Sequence, residues 1–520
     1  MLFTRLKQVG KYGSLTLFVG GSAYFLQKND WEMSTVGVAR FGRAAFTAAS
    51  IVVDYRWSLR NLESGSEEYN TMLSTVHERS AIKLKNMCCK NGGAFIKVGQ
   101  HLGTLDYLLP KEYVKTLRVL HNDAPQSSVS ELAQVFKEDL GKDIDEVFVS
   151  FDSKPLGTAS LAQVHKAVTK DGEILAVKIQ HPRVKAHSYV DIRTMEFLIH
   201  RVAWVFPDFQ YVWLAEETKK NLPKELDFMK EGEHCERAAK MFSHFDFLKV
   251  PKVYWDYSSE RVLTMEYCEG GKVDDKDYMT KHNINVNEVS RDLGKLYSEM
   301  IFVNGYVHCD PHPGNVLVNK VNNHTQIVLL DHGLYQTLTD DFRINYCNLW
   351  MSLIQADLKG VEKFSKNLGV GKLYPLFACM LTARTWESVT SGIEKTEVTD
   401  KENQELKDNV ATYFNEISQV LNSIPRQMLL IMKTNDVLRG IEASLQTRAN
   451  ASSFINMSKC CTRALGNYKL KQSDGWFQSM SVHFDTRWQL LRIQLYEFLL
   501  WVNSSVIFNW LWRKPSVSFS

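Results

Sequence analysis

The sequence predicts an α+β chain in two lobes, a small β-rich one and then a larger helical one, with a helical extension before them and a helical tail after. Three observations predict it. Short β-favouring runs crowd into residues 161–267, and nearly everything past residue 280 has helical period. The one hairpin in that helical half carries polar, chemistry-bearing residues at both ends. The expected organisation is a targeting or membrane-anchor segment over 1–60, the helical extension over 61–150, the β-rich lobe over 151–270, the helical lobe over 271–470 and a helical, membrane-associated tail over 471–520.

Residues 1–60 hold eight Lys and Arg against Asp30, Glu32 and Asp54, around the uncharged stretch Ser14–Gln27. A mitochondrial presequence merging into a short membrane anchor fits, because Arg and Lys continue past the apolar stretch. A secretory signal peptide with Ser14–Leu26 as its apolar core is the rival reading, which would make the protein secreted. Residues 61–150 are amphipathic at helical spacing (Tyr69, Met72, Leu73, Val76; later Tyr113, Leu117, Leu120) around a break at Asn91-Gly92-Gly93. The period then changes. Leu161–Val168 and Glu173–Gln180 read as strands joined by Lys170-Asp171-Gly172, and Val250–Tyr257 and Arg261–Tyr267 as two more, with helices over Val184–Lys240 between them. The hairpin Val316–Asp331 is expected to turn at Val321-Asn322-Asn323-His324. Near the end, Phe498–Trp512 is almost wholly apolar and rich in Trp, but shorter than the roughly 20 residues that span a bilayer. Docking at a membrane interface and burial as a core helix both fit it.

Composition narrows the function classes. A chain of 520 residues with 62 Lys and Arg against 59 Asp and Glu has a net charge of only +3, so no global nucleic-acid-binding charge is present. The nine cysteines form no C-x-x-C pair, which argues against a zinc site or a disulfide framework.

The chemistry concentrates in His308-Cys309-Asp310-Pro311-His312-Pro313-Gly314-Asn315 and Leu329-Leu330-Asp331-His332-Gly333. An aspartate, an asparagine five positions on and an aspartate sixteen beyond that is the order in which kinase-like folds present a catalytic carboxylate and two magnesium ligands. Asp310 is therefore expected to orient an acceptor hydroxyl, and Asn315 and Asp331 to hold Mg²⁺ against the phosphates of ATP or ADP. A cluster of His308, His312 and His332 around a transition metal is the rival, although histidines beside such a loop more often serve as hydrogen-bonding scaffold. Upstream, Lys178 in Ala176-Val177-Lys178-Ile179 would reach the phosphates, one hairpin after the segment Leu156, Gly157, Thr158, Ala159, Ser160, Leu161 and Ala162, with Val164 beyond it, which would cover them. Met265-Glu266-Tyr267-Cys268 stands where such a fold joins its lobes, so Glu266 and Cys268 are expected to offer backbone groups to adenine. Two departures from a protein kinase stand out. The phosphate-covering loop has alanines at 159 and 162 where glycines would give the backbone more freedom, and no A-P-E follows Asp331.

Lys97-Val98-Gly99-Gln100, the alanine-rich loop, Glu225-Leu226-Asp227, His308–Asn315 and Asp331-His332-Gly333, in that order, resemble the UbiB family of atypical kinases, also called aarF-domain-containing or ADCK kinases. The resemblance implies that Lys97 folds over the active site as part of a K-x-G-Q signature with Gln100. It implies that Glu225 and Asp227 form an E-x-D signature contacting that segment and the metal-nucleotide region. It gives Lys178 as the ATP lysine and Asp310 as the catalytic aspartate. Glu216, Glu217, Glu225 and Glu231 all remain open as partners of Lys178. The family implies slow ATP hydrolysis or small-molecule phosphotransfer and a place in lipid or ubiquinone metabolism, with membrane lipid or inner-membrane proteins as partners. The rival functions are a pseudokinase scaffold that binds nucleotide without turnover, and a conventional Ser/Thr protein kinase.

Overall fold

The computed structural model describes residues 37–103, 109–121, 126–206, 212–392, 413–447 and 450–504. The stretch Ser14–Gln27, and the part of Phe498–Trp512 beyond Ser504, lie outside them. The chain divides into two compact units, Met1–Arg237 with Pro251–Tyr267, and Ala238–Val250 with Cys268–Ser520.

In the first unit helix Gly37–Ser58 lies within the 1–60 segment, and the extension that follows forms helices Glu67–Asn91, Ala94–Leu102 and Lys111–Arg118. Glu67–Asn91 starts where the Ser66 hydroxyl accepts the Tyr69 N–H, and it stops because Gly92 and Gly93 take φ of +67° and +51°. Its Met87 and Cys88 pack with Phe95, Ile96, Leu117 and Leu120, and the same core takes in Leu161, Leu222 and Leu226. The sheet contains β1 (Phe148–Phe151), β2 (Gly157–Thr158), β3 (Ala162–Thr169) and β4 (Ile174–Gln180). After the short strand β5 (Leu248–Lys249), which belongs to the second unit, comes β6 (Val262–Glu266). The antiparallel order is β1-β3-β4-β6, with β2 beside β3. Leu175, Val177 and Ile179 point one way from β4 into a core with Leu132 and Phe136 of helix Val129–Leu140, which puts Lys178 on the other face.

One expected strand is corrected. Val250–Tyr257 is not continuous β: Leu248–Lys249 pairs with another strand, Val253 makes a single bridge to Met265, and Trp255–Tyr257 is a 3₁₀ turn. Pro251 has no N–H to give, so the segment runs beside β6 through separate bonds, Tyr254 N–H to Thr264 O and Glu266 N–H to Lys252 O.

In the second unit β7 (Gly271–Lys272), β9 (Val316–Val321) and β10 (His324–Leu329) join β5 in a four-stranded sheet, ordered β5-β10-β9-β7. The β9–β10 turn is Asn322-Asn323, with φ of +49° and +67°, a two-residue left-handed turn whose twist matches the strands. The expectation of helix everywhere else past residue 280 misses a second small ladder, β8 (Tyr306–His308) with β11 (Tyr335–Thr337). Leu334–Arg343 therefore begins as strand before helix Asp340–Ile354 opens on its Thr339 cap. Helices Val286–Ser298, Arg426–Leu445 and Asn450–Lys471 build most of the remaining core around Leu296, Met300, Leu349 and Ile431. Helix Trp476–Ser504 is held to Asn450–Lys471 by the Lys459–Glu497 pair at 2.5 Å, and it exposes Phe477, Met480, Phe484, Trp488, Leu491 and Leu495 at three- and four-residue spacing. Among the described residues no helix is long and apolar enough to cross a membrane.

Candidate functional site

Each unit holds a part of the expected site. In the first, strand register sets the geometry: Gly157 is opposite Val164, and Val164 is opposite Lys178, so the loop, β3 and the lysine stand side by side across three strands. The Lys178 Nζ donates to Glu231 Oε1 at 2.6 Å and Oε2 at 2.9 Å, and lies 5.0 Å from the Phe228 ring centre. Of the four glutamates left open by the sequence, Glu231 is the partner seen. It sits in the first turn of helix Phe228–Met241, where a carboxylate also meets the positive end of the helix dipole. Only 13% of the lysine side chain and 4% of the glutamate side chain are exposed, so the pair is largely desolvated.

The alanine-rich loop is pinned. Ala159 N–H donates to Ala162 O, the imidazole Nε2 of His181 donates to Ala159 O at 3.0 Å, and the His181 backbone N–H donates to Leu161 O. Leu161 at the tip is buried in the core of the helical extension, and Ser160 is buried beside it. A tip anchored by an apolar side chain cannot fold down as a glycine-rich flap does. A Cβ on Gly157 would meet nothing within 4 Å, so no steric contact requires glycine there. Burial pushes the His181 pKa below its usual value, which keeps the ring neutral, and its Nδ1 bonds the Ser127 hydroxyl at 2.9 Å.

The Lys97 Nζ is 2.6 Å from Glu225, so the two signature segments touch each other. Gly99 is needed for close approach: a Cβ there would lie 2.4 Å from Leu120 Cδ1 and 3.3 Å from Cys88 Sγ. Gln100 Nε2 donates to Leu120 O at 3.0 Å, locking the helix Ala94–Leu102 to the turn after Arg118. Asp227 pairs with Lys230 at 3.0 Å. Sequence reasoning missed Gln180, a fully buried amide whose Nε2 donates to Leu226 O at 2.8 Å and so ties the Glu225–Asp227 segment to the end of β4. Glu266 ends β6, where its carboxylate accepts the Lys252 N–H at 3.2 Å, and the boundary between the units falls between Tyr267 and Cys268.

In the second unit the β9–β10 hairpin does the positioning. Val316 pairs with Leu329 and Leu330 N–H donates to Asn315 O, so Asn315 enters the hairpin where Asp331 leaves it. Asn315 Nδ2 donates to the Asp310 carbonyl at 3.1 Å, which turns its amide oxygen away from Asp310. The Asp331 carboxylate accepts the Gly333 N–H at 2.9 Å. His308 is buried and neutral, its pKa lowered chiefly by burial; its Nε2–H donates to the Asp331 carbonyl at 2.5 Å, and its Nδ1 accepts the Tyr297 hydroxyl at 2.9 Å. That ring therefore ties the strand before Asp310 to Asp331, two residues past the end of β10. His332 makes an equivalent relay between Leu329 O and the Tyr335 hydroxyl, and the His312 Nδ1 accepts the Gly314 N–H. These histidines serve as scaffold, and among the described residues no group of three His, Cys, Asp or Glu could hold a metal.

An amide oxygen and a carboxylate are hard ligands, and two protein oxygens suit Mg²⁺, which keeps waters and takes phosphate oxygens for the rest. The carboxylate of Asp310 meets a residue that sequence reasoning missed, Lys433, whose Nζ is 3.4 Å from its Oδ1. The signal was present: Lys433 is the one charge in the otherwise uncharged run Gln427–Asn435.

A family model described as the ABC1 atypical kinase-like domain matches residues 119–365. The chain is 57% identical over 489 residues to AarF domain-containing protein kinase 1 of Gallus gallus, covering 94% of this chain and 93% of that one. It is 54% identical to the protein of the same name in Mus musculus, covering 98% of each chain. AarF domain-containing kinase 1 of Drosophila melanogaster is 46% identical, covering 95% of this chain and 97% of its own.

Proposed function

Because the chain belongs to the AarF domain-containing, or ABC1, family of atypical kinases, we propose that it binds ATP or ADP with Mg²⁺ and turns nucleotide over slowly on water or a small acceptor. The observation that carries this reading is the hairpin-set group of Asp310, Asn315 and Asp331, complete and braced by His308. Lys178, held by Glu231, neutralises phosphate charge. Asn315 and Asp331 would hold Mg²⁺, which when bound would offset the charge of the phosphates. The oxygen of the acceptor hydroxyl bonds to the terminal phosphorus as the bond from that phosphorus to the bridging oxygen breaks. The departing nucleoside diphosphate keeps the electron pair, and Asp310 takes the hydroxyl proton.

Two features favour a small acceptor over a peptide. Only the short strand β11 separates Asp331-His332-Gly333 from helix Asp340–Ile354, which leaves no activation segment of the usual length. The Lys97–Glu225 pair and the anchored Leu161 also restrain the loop region that a protein kinase keeps mobile. The same restraint favours a second reading, a nucleotide-binding scaffold. The basic, acid-poor first 60 residues support a mitochondrial address, and the apolar stripe of helix Trp476–Ser504 supports work against the inner membrane, in lipid or membrane homeostasis.

The test is nucleotide hydrolysis by the purified full-length chain on lipid vesicles, beside Asp310→Asn and Asp331→Asn. The expected result is a slow wild-type rate that both variants lower by about 100-fold, with peptide phosphorylation at background. Binding of MgADP with no hydrolysis above the variants would replace this reading with the scaffold, and vigorous peptide phosphorylation would replace it with a protein kinase.

A further inference from the structure

We propose that Lys433 is a positioning residue of the catalytic loop, supplied from helix Arg426–Leu445, whose ammonium fixes the Asp310 carboxylate for its work on the acceptor hydroxyl. The inference rests on the nucleotide-turnover reading above.

The chain places this cation at a cost. Lys433 is 9% exposed and lies between Met432 and Thr434, with Ile431 and Leu430 also buried. An ammonium so placed is unfavourable unless a carboxylate compensates it. The carboxylate it meets is Asp310, 123 residues away in sequence.

The geometry differs from that of pairs elsewhere in the molecule whose work is to hold elements together. Lys178 and Glu231 close to 2.6 Å with both side chains buried, and Arg463 grips Glu299 with two bonds of 2.7 and 2.8 Å. The Lys433–Asp310 contact is 3.4 Å, longer than the roughly 2.7–2.9 Å of a tight charged hydrogen bond. It is also asymmetric, because the lysine side chain is 11% exposed and the aspartate side chain 32%. The cation is thus the more buried of the two and the carboxylate the more exposed, as suits a group that must receive a proton from a substrate.

The loop has no fixed cation of its own, since Cys309 to Asn315 contains neither Lys nor Arg. Its one histidine, His312, is held towards the neutral form by burial. The distant helix supplies a fixed positive charge beside Asp310. With Oδ1 held by Lys433 and the carbonyl of the same residue held by Asn315, Asp310 is fixed at both its side chain and its backbone.

The experiment compares nucleotide hydrolysis, MgADP affinity and melting temperature for wild type, Lys433→Met, Lys433→Arg, Asp310→Asn and the double variant Asp310→Asn with Lys433→Met. The expected result is a fall of about 100-fold in kcat for Lys433→Met, with KM for ATP and MgADP affinity within about 3-fold of wild type. Lys433→Arg should recover to within about 10-fold of wild type, and the double variant should be no slower than Asp310→Asn alone, since residues acting as one unit are not additive. Should Lys433→Met melt well below wild type, Lys433→Gln takes its place with the same expectation. Wild-type kcat in the Met or Gln variant, or losses that multiply in the double variant, would overturn the role of Lys433 and leave the function standing. A wild-type rate that Asp310→Asn does not lower would overturn both.

Discussion

Replacing Glu231 with Gln tests whether the first unit holds Lys178 as a compensated buried charge. The substitution keeps the side-chain volume and one acceptor oxygen but removes the negative charge that lies 2.6 Å from Nζ. Since 13% of the lysine side chain is exposed, water can replace little of the lost partner. Breaking a buried pair from one side costs about 3–5 kcal/mol, and the acceptor retained by Gln puts the expectation at the lower end, about 3 kcal/mol. At roughly 2–4 °C per kcal/mol for a unit of this size, the transition of the first unit should fall by about 10 °C in calorimetry of the full-length chain. The double variant Lys178→Met with Glu231→Leu removes both charges and should recover most of that loss, because two apolar side chains then fill the same space. A Glu231→Gln transition within about 2 °C of wild type, or a double variant no more stable than the single one, would refute the reasoning.

Gly99→Ala should destabilise the first unit by about 1–3 kcal/mol, because the new methyl would sit 2.4 Å from Leu120 Cδ1, whereas Gly157→Ala, with nothing within 4 Å, should change stability by under about 0.5 kcal/mol; denaturant midpoints of the two variants decide it. Stability should fall as pH drops below about 6.5. The pKa values of His77, His181 and His308 are lowered from 6.5 chiefly by burial, so the unfolded chain binds protons there that the folded chain does not. The contribution is fully present above the unfolded value and is lost as pH falls towards the folded ones. A melting temperature that stays flat from pH 7.5 to 5 would contradict this.

What could be read from the sequence about the site is what the chain encodes locally. Asn315 and Asp331 flank a hairpin whose Asn322-Asn323 turn fixes its own register, so their nearness follows from turn chemistry and strand period alone. Lys178 could be placed on a strand for the same reason, with Val177 and Ile179 alternating into the core on either side. Local pattern was less able to judge residues 250–257, where β-favouring side chains surround a proline and the ladder breaks. Pro251 is the local signal for the break, inside a run that is otherwise β-favouring.

By itself, then, the amino-acid order determined the α+β plan, the sequence of lysine, aspartate, asparagine and aspartate, and the turns that aim three of them, since each depends on neighbours a few residues apart. The tertiary structure alone chose Glu231 from four glutamates on plausible helical turns, because helical period gives a face but not the strand it will meet. It alone buried Leu161 in the core of the extension, turning a phosphate-covering loop into an anchored one. It alone brought Lys433 to Asp310 across 123 residues, a contact made by chain folding at a distance no local rule reaches.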